Sequence, residues 1–254
     1  MRDIISSIGF PRETEVGRTL FKKMFYENAN LSKQEKDLLM NQIDKVLITH
    51  NLNPQNINIM PFEDTTKEYH AIQVIEVRIH AKDKPKKIAE MIIGAIPMPV
   101  ILQLKFEEVY MLALGLRVFD DKDKDKTKIE EWIFSKWIDS NNLSEKESTF
   151  LEEIHIKRLS YSNFYRFYLS LIGKINCYNA SFLTEKYIQN IDGEEVKRIY
   201  EAIENYDSEI QKLRGKLKKE SQFNKKVELN VKIKQLQQKR EELIKQLNGG
   251  TTNE

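Results

Sequence analysis

The sequence predicts an α+β domain followed by a C-terminal coiled-coil arm, and three observations lead to this prediction. Apolar residues recur at helical spacing near the N-terminus, alternate with period two in the middle, and return to helical spacing after Glu194. Basic residues concentrate in the last helical stretch. Since each amphipathic element must bury its apolar face against another layer, we expect N-terminal helices packed on a small mixed or antiparallel sheet.

Two N-terminal helices are predicted. The first covers residues 13–28, where Val16, Leu20 and Met24 recur every four residues. The second covers residues 30–51 and begins at a Ser-x-x-Glu pattern formed by Ser32 and Glu35. In such a capping box each side chain bonds to the other residue's backbone N–H, which stabilises the first turn of a helix.

The middle of the chain predicts a ββαββ core, because the apolar period changes from 3.6 to 2 and a short amphipathic helix interrupts it. Pro97 and Pro99 mark the point where that helix stops. The predicted elements are, in order, strands 56–62 and 69–80, helix 84–96, and strands 100–106 and 109–118.

Three further segments precede the arm. Residues 120–128 alternate Asp and Lys and predict a solvated loop. Residues 129–138 fit either an edge strand or a short helix. Residues 161–175 predict a helix whose aromatic stripe is typical of a buried core.

The arm is predicted over residues 191–248, after a domain that spans residues 1–190, and a disordered tail is expected at 249–254. Two runs of apolar residues alternate steps of three and four, which is the heptad pattern of a coiled-coil seam. The phase breaks near residues 221–224, so the helix either folds back as an antiparallel hairpin or continues with a register jump. Similar segment lengths favour the hairpin. The seam residues are Ile203, Ile210, Leu213, Leu217, Leu229, Ile233, Leu236 and Leu243.

Positive charge concentrates around that break. Residues 212–240 contain eleven basic residues and only two acidic ones, Glu220 and Glu228. This stretch therefore carries a net charge of +9. A basic helical surface can neutralise phosphates without reading sequence, although lysine-rich faces of coiled coils are commonly just solvated. The predicted nucleic-acid or partner contacts are Lys212, Arg214, Lys216, Lys218, Lys219, Lys225, Lys226, Lys232 and Lys234.

Composition argues against several functional classes. The 254 residues are 40% hydrophobic and 31% charged, and Cys177 is the only cysteine, which excludes an intramolecular disulfide and CxxC zinc sites. No segment resembles a signal peptide or approaches the about 20 apolar residues of a membrane span. The four histidines lack metal-ligand spacing, and phosphate-binding loops are missing. We expect a cytoplasmic protein with no membrane contact, no metal site and no cofactor.

Glu76 is the one position that suggests catalysis. It lies on a predicted strand whose alternation places His70 and His80 on the same side, with Lys82 shortly after. A metal-dependent nuclease requires an acidic cluster beside a lysine, but a half-exposed strand with solvated charges produces the same pattern. Only Asp64 could supply the upstream acid. The second interpretation is therefore favoured, and no catalytic residue is assigned.

An ordered series of segments resembles the bacterial domain-of-unknown-function family four-three-nine-one. The series spans nearly the whole chain and consists of residues 20–28, 42–45, 51–59, 72–76, 95–99 and 222–230. The resemblance transfers no catalytic residue. It implies genes found near helicases and DNA methyltransferases, in restriction or anti-phage loci.

These observations lead to three hypotheses. The first is a non-catalytic accessory subunit of a defence or restriction complex, which binds a helicase or methyltransferase and contacts DNA through the arm. The second is a divergent metal-dependent nuclease that uses Glu76. The third is a structural homodimer formed through the coiled coil.

Overall fold

A computed structural model describes residues 3–28, 31–121, 123 and 126–249 of the chain. Contacts divide the chain into two compact units, Met1–Ile175 and Asn176–Glu254. Most of the predicted tail, residues 250–254, lies outside the described residues, as do residues 122, 124 and 125 of the predicted loop. Among the described helices, none is both long enough and apolar enough to cross a membrane.

The elements are numbered in chain order. The strands are β1 (Glu15–Leu20), β2 (Ile43–Leu52), β3 (Phe62–Glu63), β4 (Glu68–Tyr69), β5 (Ile72–Ile79), β6 (Val100–Phe106), β7 (Val109–Phe119), β8 (Thr127–Phe134) and β9 (Ile138–Asp139). The helices are α1 (Ile4–Ile8), α2 (Lys23–Asn28), α3 (Lys33–Gln42), α4 (Pro54–Ile57), α5 (Pro85–Ala95), α6 (Glu145–Glu153), α7 (Phe164–Ala180), α8 (Gly193–Lys219) and α9 (Phe223–Gly249).

The first unit is built on a mixed sheet of seven strands. Its order is β1-β2-β5-β6-β7-β8, and β9 adds a short pairing to β7. All neighbours run antiparallel except β5 and β6, which are parallel because α5 crosses over between them. The strands β3 and β4 form a separate hairpin. A mixed sheet with helices confirms the predicted α+β class at the level of layers.

Both faces of the sheet are covered, which buries the central strands. On one face Ile75 and Val77 of β5 pack with Ile88 and Ile92 of α5 in a single apolar cluster. On the opposite face the backbone N–H of Ile5, in α1, donates to Gln103 Oε1 on β6 at 3.1 Å. Strand alternation places Glu76 on this second face, opposite Ile75 and Val77.

The β5–α5–β6–β7 unit follows the sequence prediction closely. Helix α5 lies within the predicted 84–96, β6 begins and ends at the predicted residues, and β7 extends one residue beyond 118. The capping box of Ser32 and Glu35 is also confirmed, with both reciprocal hydrogen bonds in place. Residues 129–138, for which two structures were considered, belong mainly to the edge strand β8.

The two N-terminal helix predictions are wrong in part. Residues 15–20 form strand β1, so only α2 remains of the first helix; the second ends at Gln42 and continues as strand β2. The helical spacing of Val46 and its neighbours was coincidental, because β2 is rich in branched residues that pack well on a sheet. Pairing with β5 on one edge and β1 on the other decided the conformation, since together they satisfy the backbone groups of the strand.

The predicted strand 56–62 is also wrong. Residues 54–57 form the short helix α4, and only Phe62 belongs to a strand. Asn53 caps this helix by accepting a hydrogen bond from the Gln55 N–H at 3.0 Å, and Pro54 occupies its first position. An Asn cap followed by Pro favours a helical start over an extended chain.

The second unit contains two long helices, α8 and α9, joined by residues 220–222. Ile210 and Leu213 of α8 and Ile233 of α9 form a buried apolar cluster, and partly buried leucines pack against it. Arg240 Nε donates to Asp207 Oδ1 at 2.7 Å, which ties the far half of α9 to α8.

Candidate functional site

The strongest surface feature is the end of the α8–α9 pair where the two helices meet. All nine predicted contact residues are exposed, and they lie on both helices, in the halves next to the turn at residues 220–222. They are Lys212, Arg214, Lys216, Lys218, Lys219, Lys225, Lys226, Lys232 and Lys234. We call this group the cationic tip.

An open groove lies within the cationic tip. Its volume is about 430 Å³. Four lysines surround a short apolar floor together with two glutamates; the lining residues are Lys216, Lys219, Glu220, Lys225, Glu228, Leu229 and Lys232. The excess of cations makes the groove attractive to an anionic chain such as a nucleic-acid backbone.

The turn that forms the tip is held by Glu220. Its Oε1 accepts hydrogen bonds from the backbone N–H groups of Ser221 and Gln222, both at 2.9 Å. These bonds, with the cations of Lys225 and Lys226, lower the pKa of Glu220, so the turn is maintained by a carboxylate. The fixed turn brings the lysines of both helices to one end.

The lysines of the cationic tip differ in their effect on the stability of the helices. Lys216, Lys218 and Lys219 lie in the last turn of α8, where cations complement the helix dipole. Lys225 and Lys226 lie in the first turn of α9, where cations oppose it at a cost of about 0.3–1 kcal/mol each. Their presence there is not explained by helix stability.

The predicted seam residues are buried to different extents. Ile203, Ile210, Leu213 and Ile233 are buried, and Leu217, Leu229 and Leu236 are partly buried against the same apolar cluster. Leu243 is half-buried. The seam therefore supports the tip, and four of the tip residues are chain neighbours of the buried Leu213 and Ile233: Lys212, Arg214, Lys232 and Lys234.

One apolar stripe of α9 faces solvent. Phe223, Val227 and Val231 follow each other at four-residue spacing and are 77%, 45% and 50% exposed. Four-residue spacing places them on one face of the helix. The stripe begins next to the cationic tip, so an apolar surface and a charged surface adjoin.

The candidate catalytic position, Glu76, has a different character from the one its strand pattern suggested. It is buried, with 7% of its surface exposed. Its Oε1 accepts from Arg78 Nε at 2.8 Å and its Oε2 from Gln103 Nε2 at 3.2 Å. The predicted neighbours His70 and His80 lie outside β5. Both carboxylate oxygens are thus engaged within the sheet, which favours a structural role.

The sequence did not identify a second group of polar side chains. Glu63 and Glu68 lie directly opposite each other in the β3–β4 hairpin, and His70 Nε2 lies 3.0 Å from Glu63 Oε2. The hairpin was not predicted, because its strands are two residues long. The Asp64-Thr65-Thr66-Lys67 turn was the available signal, since Asx turns of this kind often reverse a chain.

A buried arginine lies beside this group. Arg117 of β7 is 4% exposed, and its side chain donates to the backbone oxygens of Ile93 and Ile96 and to Thr127 Oγ1. Its burial lowers the pKa of the guanidinium. Nothing in the alternating pattern of β7 distinguishes this position, so sequence reasoning missed it.

Comparison with known protein families gives one match. A family model described as a domain of unknown function, DUF4391, matches residues 8–239. The comparison with curated proteins found no match, and the comparison with solved structures also found none.

Proposed function

We propose that this chain, which belongs to the DUF4391 family, is a non-catalytic accessory subunit of a prokaryotic defence or restriction-type complex. In this proposal its C-terminal helices form an antiparallel coiled-coil hairpin. The cationic tip binds the phosphate backbone of nucleic acid, and the α+β unit contacts a helicase or methyltransferase of the same locus.

The cationic tip is the observation that carries the proposal. Nine exposed basic residues lie in the halves of α8 and α9 next to the turn, and two of them occupy a helix start where cations are unfavourable. A bound phosphate would remove that penalty, because anions are stabilised both by lysines and by the N-terminal end of a helix. Contacts of this kind give affinity without base recognition.

The hairpin proposal rests on the packing of α8 against α9. Ile210 and Leu213 meet Ile233, and Asp207 pairs with Arg240, so residues farther before the turn meet residues farther after it. The 3–4 spacing of the seam gives each helix one apolar face. Neither helix alone buries that face, which is why the pair would act as one element.

Binding of duplex DNA measured by fluorescence anisotropy over a range of salt concentrations tests the nucleic-acid contact. The intact chain should bind with an affinity that falls steeply as salt rises. Lys219→Glu combined with Lys225→Glu should weaken binding about tenfold or more at low salt. The double variant should also reduce the magnitude of the salt slope by about two, one for each lost phosphate contact.

The matched control is Lys33→Glu combined with Lys36→Glu, two exposed residues of α3 that give the same change in net charge. It should retain the affinity and the salt slope of the unmodified chain. Salt-independent binding, or an equal loss in both double variants, would show that the tip is not the contact.

The partner is tested by copurification from the native operon. A helicase or methyltransferase of the same locus should remain with the protein at moderate salt. A chain that emerges alone at every salt concentration counts against the accessory role and leaves the nucleic-acid contact to be judged from the anisotropy.

The exposed stripe of α9 favours one alternative, a homodimer. Phe223, Val227 and Val231 could pack against the same residues of a second copy, because a two-fold axis brings the same surface patch of both copies together. Light scattering should then report a dimer for the intact chain and a monomer for Phe223→Ser combined with Val227→Ser. A monomeric intact chain removes this alternative.

The nuclease alternative is tested at Glu76. DNA is incubated with the protein and Mg²⁺ or Mn²⁺, and the intact chain is compared with Glu76→Ala. Since both oxygens of Glu76 accept hydrogen bonds from Arg78 and Gln103, we expect no cleavage that depends on it. Cleavage by the intact chain that Glu76→Ala abolishes, in a variant that still folds, would instead support a nuclease.

A further inference from the structure

The β3–β4 hairpin places two carboxylates side by side. Glu63 and Glu68 are direct cross-strand partners, an arrangement in which like charges destabilise a hairpin. His70 completes the group, with Nε2 at 3.0 Å from Glu63 Oε2 and Nδ1 at 3.9 Å from Glu68 Oε2. A cation between the carboxylates would turn this repulsion into attraction.

The three side chains have the composition of a transition-metal site. One donor atom from each of Glu63, Glu68 and His70 lies within 4.8 Å of the other two. Donors of a tetrahedral zinc ion lie about 3.4 Å apart, given bond lengths of about 2.1 Å. Because all three side chains are partly exposed, small rotations can close that difference. Imidazole with carboxylates suits zinc and its neighbours better than magnesium or calcium.

Arg117 supplies an independent observation. Its guanidinium donates to Ile93 O at 2.6 Å and to Thr127 Oγ1 at 2.8 Å, and both acceptors are uncharged. The Nε atom is buried and has no hydrogen-bond partner among the described residues. A buried charge is costly unless it is paired, and an unsatisfied buried donor adds to that cost. An anion beside the guanidinium would pair its charge.

Two of the three metal-type ligands, Glu68 and His70, line one cavity together with Arg117. Its volume is about 160 Å³, and its walls include Glu68, His70 and Arg117, with Pro97 and Pro99 on the apolar side. This is enough room for an ion together with a small oxyanion, since a water molecule takes about 30 Å³. Two carboxylates neutralise a divalent ion, so the remaining positive charge of Arg117 selects an anion.

We propose that Glu63, Glu68 and His70 bind a divalent ion of the zinc class, and that a phosphate-type oxyanion coordinated to this ion is held by Arg117 in the adjoining cavity. The ion offsets the repulsion within the hairpin, and the oxyanion pairs the buried guanidinium. The two ligands bind cooperatively, since each supplies the charge that the other requires. This site is separate from the cationic tip and does not depend on it.

Metal binding is measured on the full chain by isothermal titration with Zn²⁺. We expect one site, and His70→Ala and Glu68→Gln should each weaken it by about tenfold or more, the size of effect that even outer partners of metal ligands produce. The control is His80→Ala, an exposed histidine outside the hairpin, which should leave the affinity unchanged. Absence of binding, or equal weakening by His80→Ala, overturns the metal site.

The oxyanion is tested with Co²⁺ in place of zinc, because the visible absorption of bound Co²⁺ reports its ligands. Adding inorganic phosphate should shift the absorption bands of the intact chain and tighten Co²⁺ binding. Arg117→Met should keep Co²⁺ but lose the response to phosphate. A spectrum of the intact chain that phosphate leaves unchanged overturns the oxyanion half of the proposal, whether or not the Arg117 variant folds.

Discussion

At the scale of single residues, backbone geometry separates positions that look alike in the sequence. Gly9 ends α1 in the left-handed region, with φ of 72°, and a Cβ added there would lie 2.8 Å from His155 Nε2. Gly94 lies exposed in α5, where an added Cβ would meet no heavy atom of the described residues within 4 Å. One glycine is therefore required by the fold, whereas the other weakens its helix.

Alanine at these two positions should change stability in opposite directions. Gly9→Ala should lower the free energy of unfolding by about 1–2 kcal/mol, because an L-residue is strained at positive φ. Gly94→Ala should raise it by about 0.5–1 kcal/mol, because alanine restricts the unfolded chain and favours a helix. Urea unfolding followed by circular dichroism checks both. Equal effects of the two substitutions would contradict this account of Gly9.

At the scale of elements, the start of α3 combines two reinforcing contacts on Glu35. Its carboxylate accepts from the Ser32 N–H at 2.8 Å and pairs with Lys87 Nζ of α5 at 2.7 Å. The ion pair with Lys87, followed by the hydrogen bonds from Ser32, lowers the pKa of Glu35 from 4.5 to about 2. The cap thereby also links α3 to α5.

The lowered pKa fixes the pH dependence of this contribution. A carboxyl with a lower pKa in the folded state stabilises the fold above pH 4.5, and this stabilisation is lost as pH falls towards about 2. Glu35→Gln should therefore be less stable than the unmodified chain at pH 7, with the difference shrinking at acid pH. The midpoints of urea unfolding of Glu35→Gln and of the unmodified chain, measured at pH 7 and at acid pH, test this. A difference that stays constant would show that the charge of Glu35 is not involved.

At the scale of the whole molecule, charge is divided unevenly along the chain. The whole chain carries +2, and residues 212–240 alone carry +9, so the remainder carries −7. Like charges that converge on one tip repel each other, and salt screens that repulsion over a Debye length of about 10 Å at 0.1 M. The apolar seam between α8 and α9 must offset this repulsion between the like charges.

Salt should therefore stabilise the helix pair in the absence of nucleic acid. The helical circular-dichroism signal should persist to a higher temperature at about 0.5 M than at about 0.02 M sodium chloride. The Debye length differs by about fourfold or more between these two salt concentrations. Lys219→Glu combined with Lys225→Glu should flatten this dependence, since it removes repulsion at the tip. A salt response unchanged in that variant would locate the repulsion elsewhere in the chain.

Local signals in the sequence determined the β5–α5–β6–β7 unit, the capping box at Ser32 and the concentration of lysines near residue 220. Each depends on residues close together in the chain, where period, proline placement and capping act directly. The charge and the apolar spacing of α8 and α9 belong to the same class. The sequence could therefore identify the candidate surface before any fold was known.

Only the tertiary structure decided the conformation of residues 15–20 and 43–52 and the neighbourhood of Arg117. The first two became strands because β2 pairs with β5 and β1 pairs with β2, and this long-range pairing outweighed a weak local preference. Arg117 meets Ile93 and shares a cavity with His70, residues 24 and 47 positions away in the chain. No periodicity encodes such distances, so this site becomes visible only when the chain is folded.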